Sequence, residues 1–193
     1  MPVLWANYQE QVTKSALKKN YAVLSNALEY YYIRNGETLY SSDLTGHTLK
    51  SKIIGYFNVI KDCGYYDCYY LNKNEYKSYN GSQTITYNYF DDGQFILSDG
   101  TFVAIENRRD SGEDDEDDAY GYSKYISVDI NGLYKKPNRL GRDLFMFQLD
   151  KSGKLLPMGA DGTDYTGDST YCSNSSTSTM NGASCTYKIL KKK

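Results

Sequence analysis

The sequence predicts an α+β domain in which one long N-terminal helix packs on a mostly antiparallel sheet. The first supporting observation is that residues 3–35 lack Gly and Pro and repeat apolar side chains at helical spacing. The second is that, from residue 83 onward, turn signals separate short segments with the alternation typical of strands. A helix that is followed by consecutive strands, rather than alternating with them, indicates the α+β class.

The composition indicates one folded domain over residues 1–193. Of these residues 40% are apolar and 24% are charged, so the chain has enough apolar side chains for a core. The net charge of −2 gives no reason to expect a nucleic-acid partner. Six consecutive acidic residues at 113–118 are interpreted as a solvated loop. The 22 tyrosines suit exposed aromatic surfaces, because each ring carries a hydroxyl that tolerates water.

The scarcity of histidine argues against an enzyme. His47 is the only histidine, which excludes multi-histidine metal sites and nearly all catalysis by Ser-His-Asp or Cys-His groups. A pair of carboxylates could serve a glycosidase, but among 24 acidic residues some suitable pair will always be found. No stretch approaches about 18 consecutive apolar residues, the length of a membrane-spanning helix. We therefore expect a non-catalytic protein.

The four cysteines form two pairs that are local in sequence, Cys63 with Cys68 and Cys172 with Cys185. The spacing of the second pair is too wide for a zinc knuckle, and only His47 is present to activate a catalytic thiol. An even number of cysteines in a chain rich in Tyr, Ser and Thr favours an oxidising compartment and two short-loop disulfides. Four cysteines allow three pairings, so the connectivity stays open at this point.

The first two regions are predicted to be mainly helical. Residues 1–35 form the long helix, which Asn35-Gly36 ends. Its apolar stripe is predicted to contain Val12, Ala16, Val23 and Ala27, with Leu17, Leu24, Leu28 and Tyr31 on its flank. We expect this stripe to cover one face of the sheet and to leave the other face and the loops for contacts. Residues 36–82 are predicted to hold a second helix, with Leu49, Ile53, Phe57 and Ile60 at helical spacing.

The third region, residues 83–193, is predicted to contain the sheet and a C-terminal loop. Asp91-Asp92-Gly93 and Asp99-Gly100 are predicted hairpin turns. The predicted strands are residues 84–90, 94–97, 101–106, 125–130, 144–149, 154–156 and 185–190. Between Pro157 and Cys185 the sequence has no period and predicts a long surface loop.

Four segments, taken in order, resemble one protein family. Residues 2–28 form a basic, Ala- and Leu-rich run after a proline. Residues 126–147, ISVDINGLYKKPNRLGRDLFMF, are similar to a D-x-N-G…P-N-x-x-G-x-D-x-F pattern, and residues 154–162 contain G-A-D-G. Cys172 and Cys185 bracket a loop before the last predicted strand. This order resembles the type IV pilin and type II secretion pseudopilin superfamily.

The resemblance implies a pilin-like fold with a spine helix and a disulfide-closed C-terminal loop. It therefore implies a Cys172–Cys185 bridge, with Cys63–Cys68 as the second. The implied function is that of a structural filament subunit, and the alternative is a minor or tip pilin that acts as a binding module for a surface, a carbohydrate or DNA. The implied partners are other pilin subunits. An apolar helix that precedes these residues is expected to insert the full-length protein in the bacterial inner membrane before it joins a periplasmic or extracellular filament.

The same resemblance suggests calcium as a candidate ligand. Asp161, Asp164 and Asp168 place three carboxylates in one glycine-containing loop, and calcium prefers oxygen ligands. In the calcium loop of major pseudopilins the corresponding ligands would be Asp161 and Asp168. The alternative is that these aspartates cap backbone amides in turns. A weaker rival site combines Asp129, Asn131 and Asp143, which could equally be a turn beside a hydrogen-bonded aspartate.

Overall fold

The computed structural model describes residues 2–40, 47–72, 75–109 and 122–192, without the side chains of residues 2–7, 70–72, 108–109 and 122. The predicted acidic loop at 113–118 lies outside these residues. The helices are α1 (Pro2–Asn35), α2 (Thr48–Ile53), α3 (Asp67–Asn72), α4 (Asp168–Tyr171) and α5 (Cys185–Lys191), with single 3₁₀ turns at Ile54–Tyr56 and Tyr87–Tyr89. The strands are β1 (Val59–Asp62), β2 (Gly93–Leu97), β3 (Phe102–Arg109), β4 (Tyr122–Asp129), β5 (Leu144–Leu149) and β6 (Leu155–Pro157).

The six strands form one sheet in which every strand pairs with its neighbour in the chain. The order is β1-β2-β3-β4-β5-β6, and all five pairings are antiparallel. The predicted turn at Asp99-Gly100 joins β2 to β3, and the predicted strands at 125–130 and 144–149 correspond to β4 and β5. The α+β class with a long N-terminal helix and an antiparallel sheet is therefore confirmed.

Helix α1 covers one face of the sheet, here called the inner face. Its buried side chains are Leu17, Asn20, Leu24, Ala27, Leu28 and Tyr31. They pack against sheet residues such as Phe95, Val103 and Phe147. The buried stripe thus contains Ala27 and all the residues predicted for its flank, whereas Val12 is 46% exposed and Ala16 and Val23 are half-buried. Among the described helices, none combines the length and apolar character needed to cross a membrane.

The opposite or outer face is also covered, which corrects the expectation that it is open for contacts. Segments 75–91 and 158–185 supply a second apolar cluster that includes Tyr76, Phe90 and Met180. Tyrosine rings are part of this layer: Tyr89 and Tyr165 share a hydrogen bond of 2.7 Å between their hydroxyls. The chain uses its long loops as the second layer because the helices on this side are too short to cover the sheet.

Two predicted strands are wrong. Residues 84–90 make only an isolated bridge between Thr84 and Lys77 and then a 3₁₀ turn, because Ile85 and Phe90 bury themselves on the outer face instead of joining the ladder. Residues 185–190 form α5, which packs on α1, β5 and β6. The predicted second helix is also shorter than its spacing suggested, since Ile60 lies in β1 and is 65% exposed.

Both predicted disulfides are confirmed. Cys63 is bonded to Cys68 and Cys172 to Cys185, and no described cysteine is free. The second bridge closes a segment that lies tightly on the sheet. At Gly182, where φ is +120°, a Cβ atom would stand 2.2 Å from the carbonyl oxygen of Leu140, so only glycine permits this approach.

Candidate functional site

A cavity of about 560 Å³ opens beside β2, and three of its five lining residues are tyrosines. The lining residues are Tyr66, Tyr69, Tyr87, Asp91 and Gln94. Tyr66 is 48% exposed and Tyr87 is 59% exposed, so both rings face water. The volume lies in the range of about 300–1,000 Å³ that is usual for small-molecule sites. We refer to this site as the tyrosine cavity.

One wall of the tyrosine cavity is α3, which the Cys63–Cys68 disulfide fixes to the sheet. The backbone N–H of Cys63 donates to the carbonyl oxygen of Gln94 at 3.0 Å, and the N–H of Gln94 donates to Gly64 at 3.0 Å. The Tyr69 ring stacks on Tyr76, with 5.6 Å between ring centroids. The sequence between the two cysteines therefore forms a braced loop that presents tyrosines at a fixed position.

The other wall is the 3₁₀ turn at Tyr87–Tyr89 together with Asp91. Gln94 links the two walls, because its Nε2 donates to the carbonyl oxygen of Phe90 at 2.8 Å while its Oε1 accepts the N–H of Tyr69 at 3.0 Å. Gln94 itself is fully buried. The amide nitrogen and oxygen of Gln94 thus both form hydrogen bonds within the protein, so this side chain fixes the distance between the two walls of the cavity.

An acidic group lies next to the tyrosine cavity. Glu106 points to the outer face and is 7% exposed, and burial raises its pKa to about 9, with further contributions from a hydrogen bond to Asp91 and the charges of Asp91 and Asp92. At neutral pH Glu106 therefore holds its proton. Asp92 accepts the backbone N–H of Asn107 at 2.8 Å and lies 3.4 Å from Nδ1 of His47.

The raised pKa of Glu106 predicts that the chain loses stability as pH rises. The folded chain keeps this proton up to about pH 9, whereas the unfolded chain releases it near the ordinary value of 4.5. The stabilising contribution is complete below the unfolded pKa and is lost as pH rises through the folded pKa. Glu106→Gln cannot ionise, so its melting temperature should fall less than that of the wild type between about pH 5 and about pH 9.

Thermal melts in a series of buffers test this prediction. Burial also raises the pKa of Asp129, to about 7, but both proteins keep that group, so the difference between their curves isolates Glu106. Glu29→Gln is the matched control, since Glu29 is exposed on α1. Parallel melting curves for wild type and Glu106→Gln would contradict the prediction.

Two of the three predicted calcium ligands have partners within the protein. Asp164 accepts hydrogen bonds from the hydroxyl of Tyr125 and from Nε2 of Gln148, the latter at 2.9 Å. Asp168 forms an ion pair with Lys188 at 3.1 Å, and Asp161 is exposed. Within residues 2–40, 47–72, 75–109 and 122–192, no group of three or more His, Cys, Asp or Glu side chains is placed to hold a metal ion. The carboxylates of this loop therefore do not form a ligand set.

The rival residues Asp129, Asn131 and Asp143 are close together, and they form the hydrogen-bonded turn that was the alternative interpretation. The Asp129 carboxylate accepts the hydroxyl of Tyr76 at 2.7 Å and the backbone N–H groups of Asn131 and Gly132 at 3.2 and 3.0 Å. Asp143 accepts backbone N–H groups at its own end of the connection. The D-x-N-G…P-N-x-x-G-x-D segment between β4 and β5 thus stabilises a buried connection through hydrogen bonds.

Sequence reasoning missed the tyrosine cavity. The available signal was the concentration of tyrosine around the first cysteine pair, with Tyr65 and Tyr66 inside the pair and Tyr69 directly after it. The position of Tyr87 and Asp91 opposite this loop follows from how segment 75–91 crosses the outer face, and that crossing was mistaken for a strand.

Comparison with known proteins gives no functional assignment. No family model, no curated protein and no solved structure matches this chain. Its residues and their geometry are therefore the basis on which a function is proposed.

Proposed function

We propose that this chain is the head of a structural filament subunit of the type IV pilin or type II secretion pseudopilin kind, without catalytic activity. The observation that carries the proposal is that only the C-terminal part of α1 is buried against the sheet. Helix α1 has 34 residues and is about 50 Å long, yet no side chain from Tyr8 to Ala16 is buried. Among the described side chains of the helix, the first buried one is Leu17. The helix thus packs on the sheet with its C-terminal part, while residues 8–16 stay largely exposed apart from the contacts of Glu10 and Lys14 with Lys192.

The exposed part of α1 carries two large apolar side chains on one side. Tyr8 is 60% exposed and Val12 is 46% exposed, and their spacing of four places both on one side of the helix. In the proposed filament, spine helices of neighbouring subunits pack together through heterologous contacts while the heads repeat around the outside. The partners are then other pilin subunits.

The turn between β4 and β5 supports the resemblance from which the proposal began. The two Asp residues at the ends of the D-x-N-G…P-N-x-x-G-x-D segment stabilise this connection, because the carboxylates of Asp129 and Asp143 accept its buried backbone N–H groups. A filament subunit needs such a stable head. The proposal also includes insertion of the full-length protein in the inner membrane by an apolar N-terminal helix, and an extracytoplasmic head with both disulfides formed.

Immunogold electron microscopy of the source cells tests this function. Antibodies raised against the present chain should label filaments sheared from the cells at repeated positions along their length, and should detect the protein in the inner-membrane fraction. The preimmune serum is the control. Recovery of all the protein from the cytosol, with unlabelled filaments, would contradict the proposal.

A binding module is the second candidate function, and the tyrosine cavity is the observation that favours it. A minor or tip subunit presents its loops to the surroundings. The braced loop between Cys63 and Cys68 and the turn at Tyr87–Tyr89 place exposed rings around one cavity of ligand size.

A further inference from the structure

We propose that the tyrosine cavity binds a neutral saccharide, which stacks on the rings of Tyr66 and Tyr87 and donates a hydroxyl hydrogen bond to Asp91. The inference rests on the second candidate function and names its ligand class. It does not depend on whether the chain assembles into filaments.

The tyrosine rings suit the apolar faces of a sugar. A pyranose ring carries C–H groups on its two faces and hydroxyls on its rim, so it needs an aromatic surface and polar groups side by side. Tyr66 and Tyr87 offer exposed rings that each end in a hydroxyl, and Tyr69 forms part of the wall between α3 and β2. Tyr66 and Tyr87 can each contact a C–H face and a hydroxyl of the same ligand, whereas the Tyr69 ring is stacked on Tyr76.

The charges around the tyrosine cavity select against anions. Of the described residues that line it, Asp91 is acidic and none is a Lys or Arg, and the acidic side chain of Asp92 lies close to Asp91, whereas Glu106 holds its proton and adds no charge. A phosphate group or a nucleic acid would meet repulsion here and would find no cationic partner. A sugar hydroxyl, by contrast, is a good donor to the Asp91 carboxylate.

The size and rigidity of the tyrosine cavity favour a saccharide over a small cation. A single quaternary ammonium group would fill only part of about 560 Å³. Because the disulfide and Gln94 hold the two walls in place, little conformational freedom is lost on binding.

Isothermal titration calorimetry with neutral tetrasaccharides tests the proposal. Cellotetraose, maltotetraose and mannotetraose are titrated into the disulfide-bonded chain, and at least one should bind with a measurable dissociation constant. Tyr87→Ala should weaken that binding about tenfold, and Tyr87→Phe should retain most of it because the ring remains. Asp91→Asn should also weaken it, since an amide oxygen accepts a hydroxyl less strongly than a carboxylate.

Tyr134→Ala is the matched control, because Tyr134 is 64% exposed and does not line the tyrosine cavity. Thermal melts show that each variant is folded. The proposal is overturned if none of the tetrasaccharides binds at millimolar concentration, if Tyr87→Ala binds as tightly as Tyr134→Ala, or if choline binds there in place of the sugars. None of these results bears on filament labelling, so the two proposals fail separately.

Discussion

Replacing both Cys172 and Cys185 by serine is expected to lower the free energy of unfolding by about 3 kcal/mol. The bridge spans a sequence separation of 13 and joins the end of α4 to the start of α5. Without it, the unfolded chain gains the freedom of the whole segment 173–184, which is rich in Ser, Thr and Asn. Cys185 is buried and the adjoining Gly182 contacts Leu140, so the released segment also exposes part of the outer face.

Urea unfolding of the folded, oxidised protein measures this loss. The matched control is Cys63→Ser with Cys68→Ser, which opens a loop with a separation of only 5 and should cost about 2 kcal/mol by the same chain-entropy relation. Equal unfolding midpoints for wild type and the Cys172 and Cys185 variant would contradict the prediction. Free thiols in protein secreted to the periplasm would contradict both the disulfides and the proposed extracytoplasmic location.

Asp143→Ala is expected to cost about 4 kcal/mol of stability. The carboxylate accepts the backbone N–H groups of Asn138, Arg139 and Leu144 at 2.7, 2.6 and 3.1 Å. Asp143 is 3% exposed, so water cannot readily replace the lost acceptor, and burial raises the pKa of its carboxyl despite these donors. Each buried donor left without a partner costs about 1–3 kcal/mol.

Asp150→Ala provides the comparison for Asp143→Ala. Asp150 also accepts two backbone N–H groups, from Ser152 and Lys154 at 2.9 Å each, but at a turn that water reaches. Its loss should cost about 1 kcal/mol. Chemical denaturation gives both values, and Asp143→Asn, which keeps one acceptor oxygen, should fall between wild type and Asp143→Ala. Equal losses for the two alanine variants would show that burial of the turn is not what makes Asp143 important.

The sequence predicted those parts of the fold in which local pattern and tertiary contacts agree. Helix α1 has apolar side chains at helical spacing, and strands β3 to β5 are short apolar segments bounded by turn signals, which are buried on both faces of the sheet. The prediction failed at residues 185–190, which include strand formers such as Thr186 and Ile189. The side chains of this segment that pack against the rest of the protein, Cys185, Thr186, Ile189 and Leu190, lie at helical spacing. Propensity for a strand was overridden there by packing beside β5 and β6.

The candidate site was less accessible to sequence reasoning than the fold. Both disulfides followed from spacing and resemblance, because the paired cysteines are neighbours in the chain. The tyrosine cavity is lined by residues between 66 and 94, which are far apart in the sequence. They come together because segment 75–91 packs into the outer-face cluster, and no local sequence pattern predicts the path of that segment. The loop at 159–168 shows a limit of another kind, since its three aspartates look like a ligand set in sequence, but Asp164 contacts Tyr125 and Gln148 and Asp168 pairs with Lys188 in space.

The sequential order of the sheet has a consequence for biosynthesis. Each strand pairs with the strand made just before it, so the sheet can grow step by step as the chain leaves the ribosome, with low entropic cost for each closure. Helix α1 is made first, yet its buried residues Leu17, Leu24 and Leu28 pack on strands that include β5 and β6, which are made late. The apolar stripe of α1 therefore lacks part of its sheet contacts until β5 and β6 have been made, and the nascent chain exposes apolar surface for most of its synthesis.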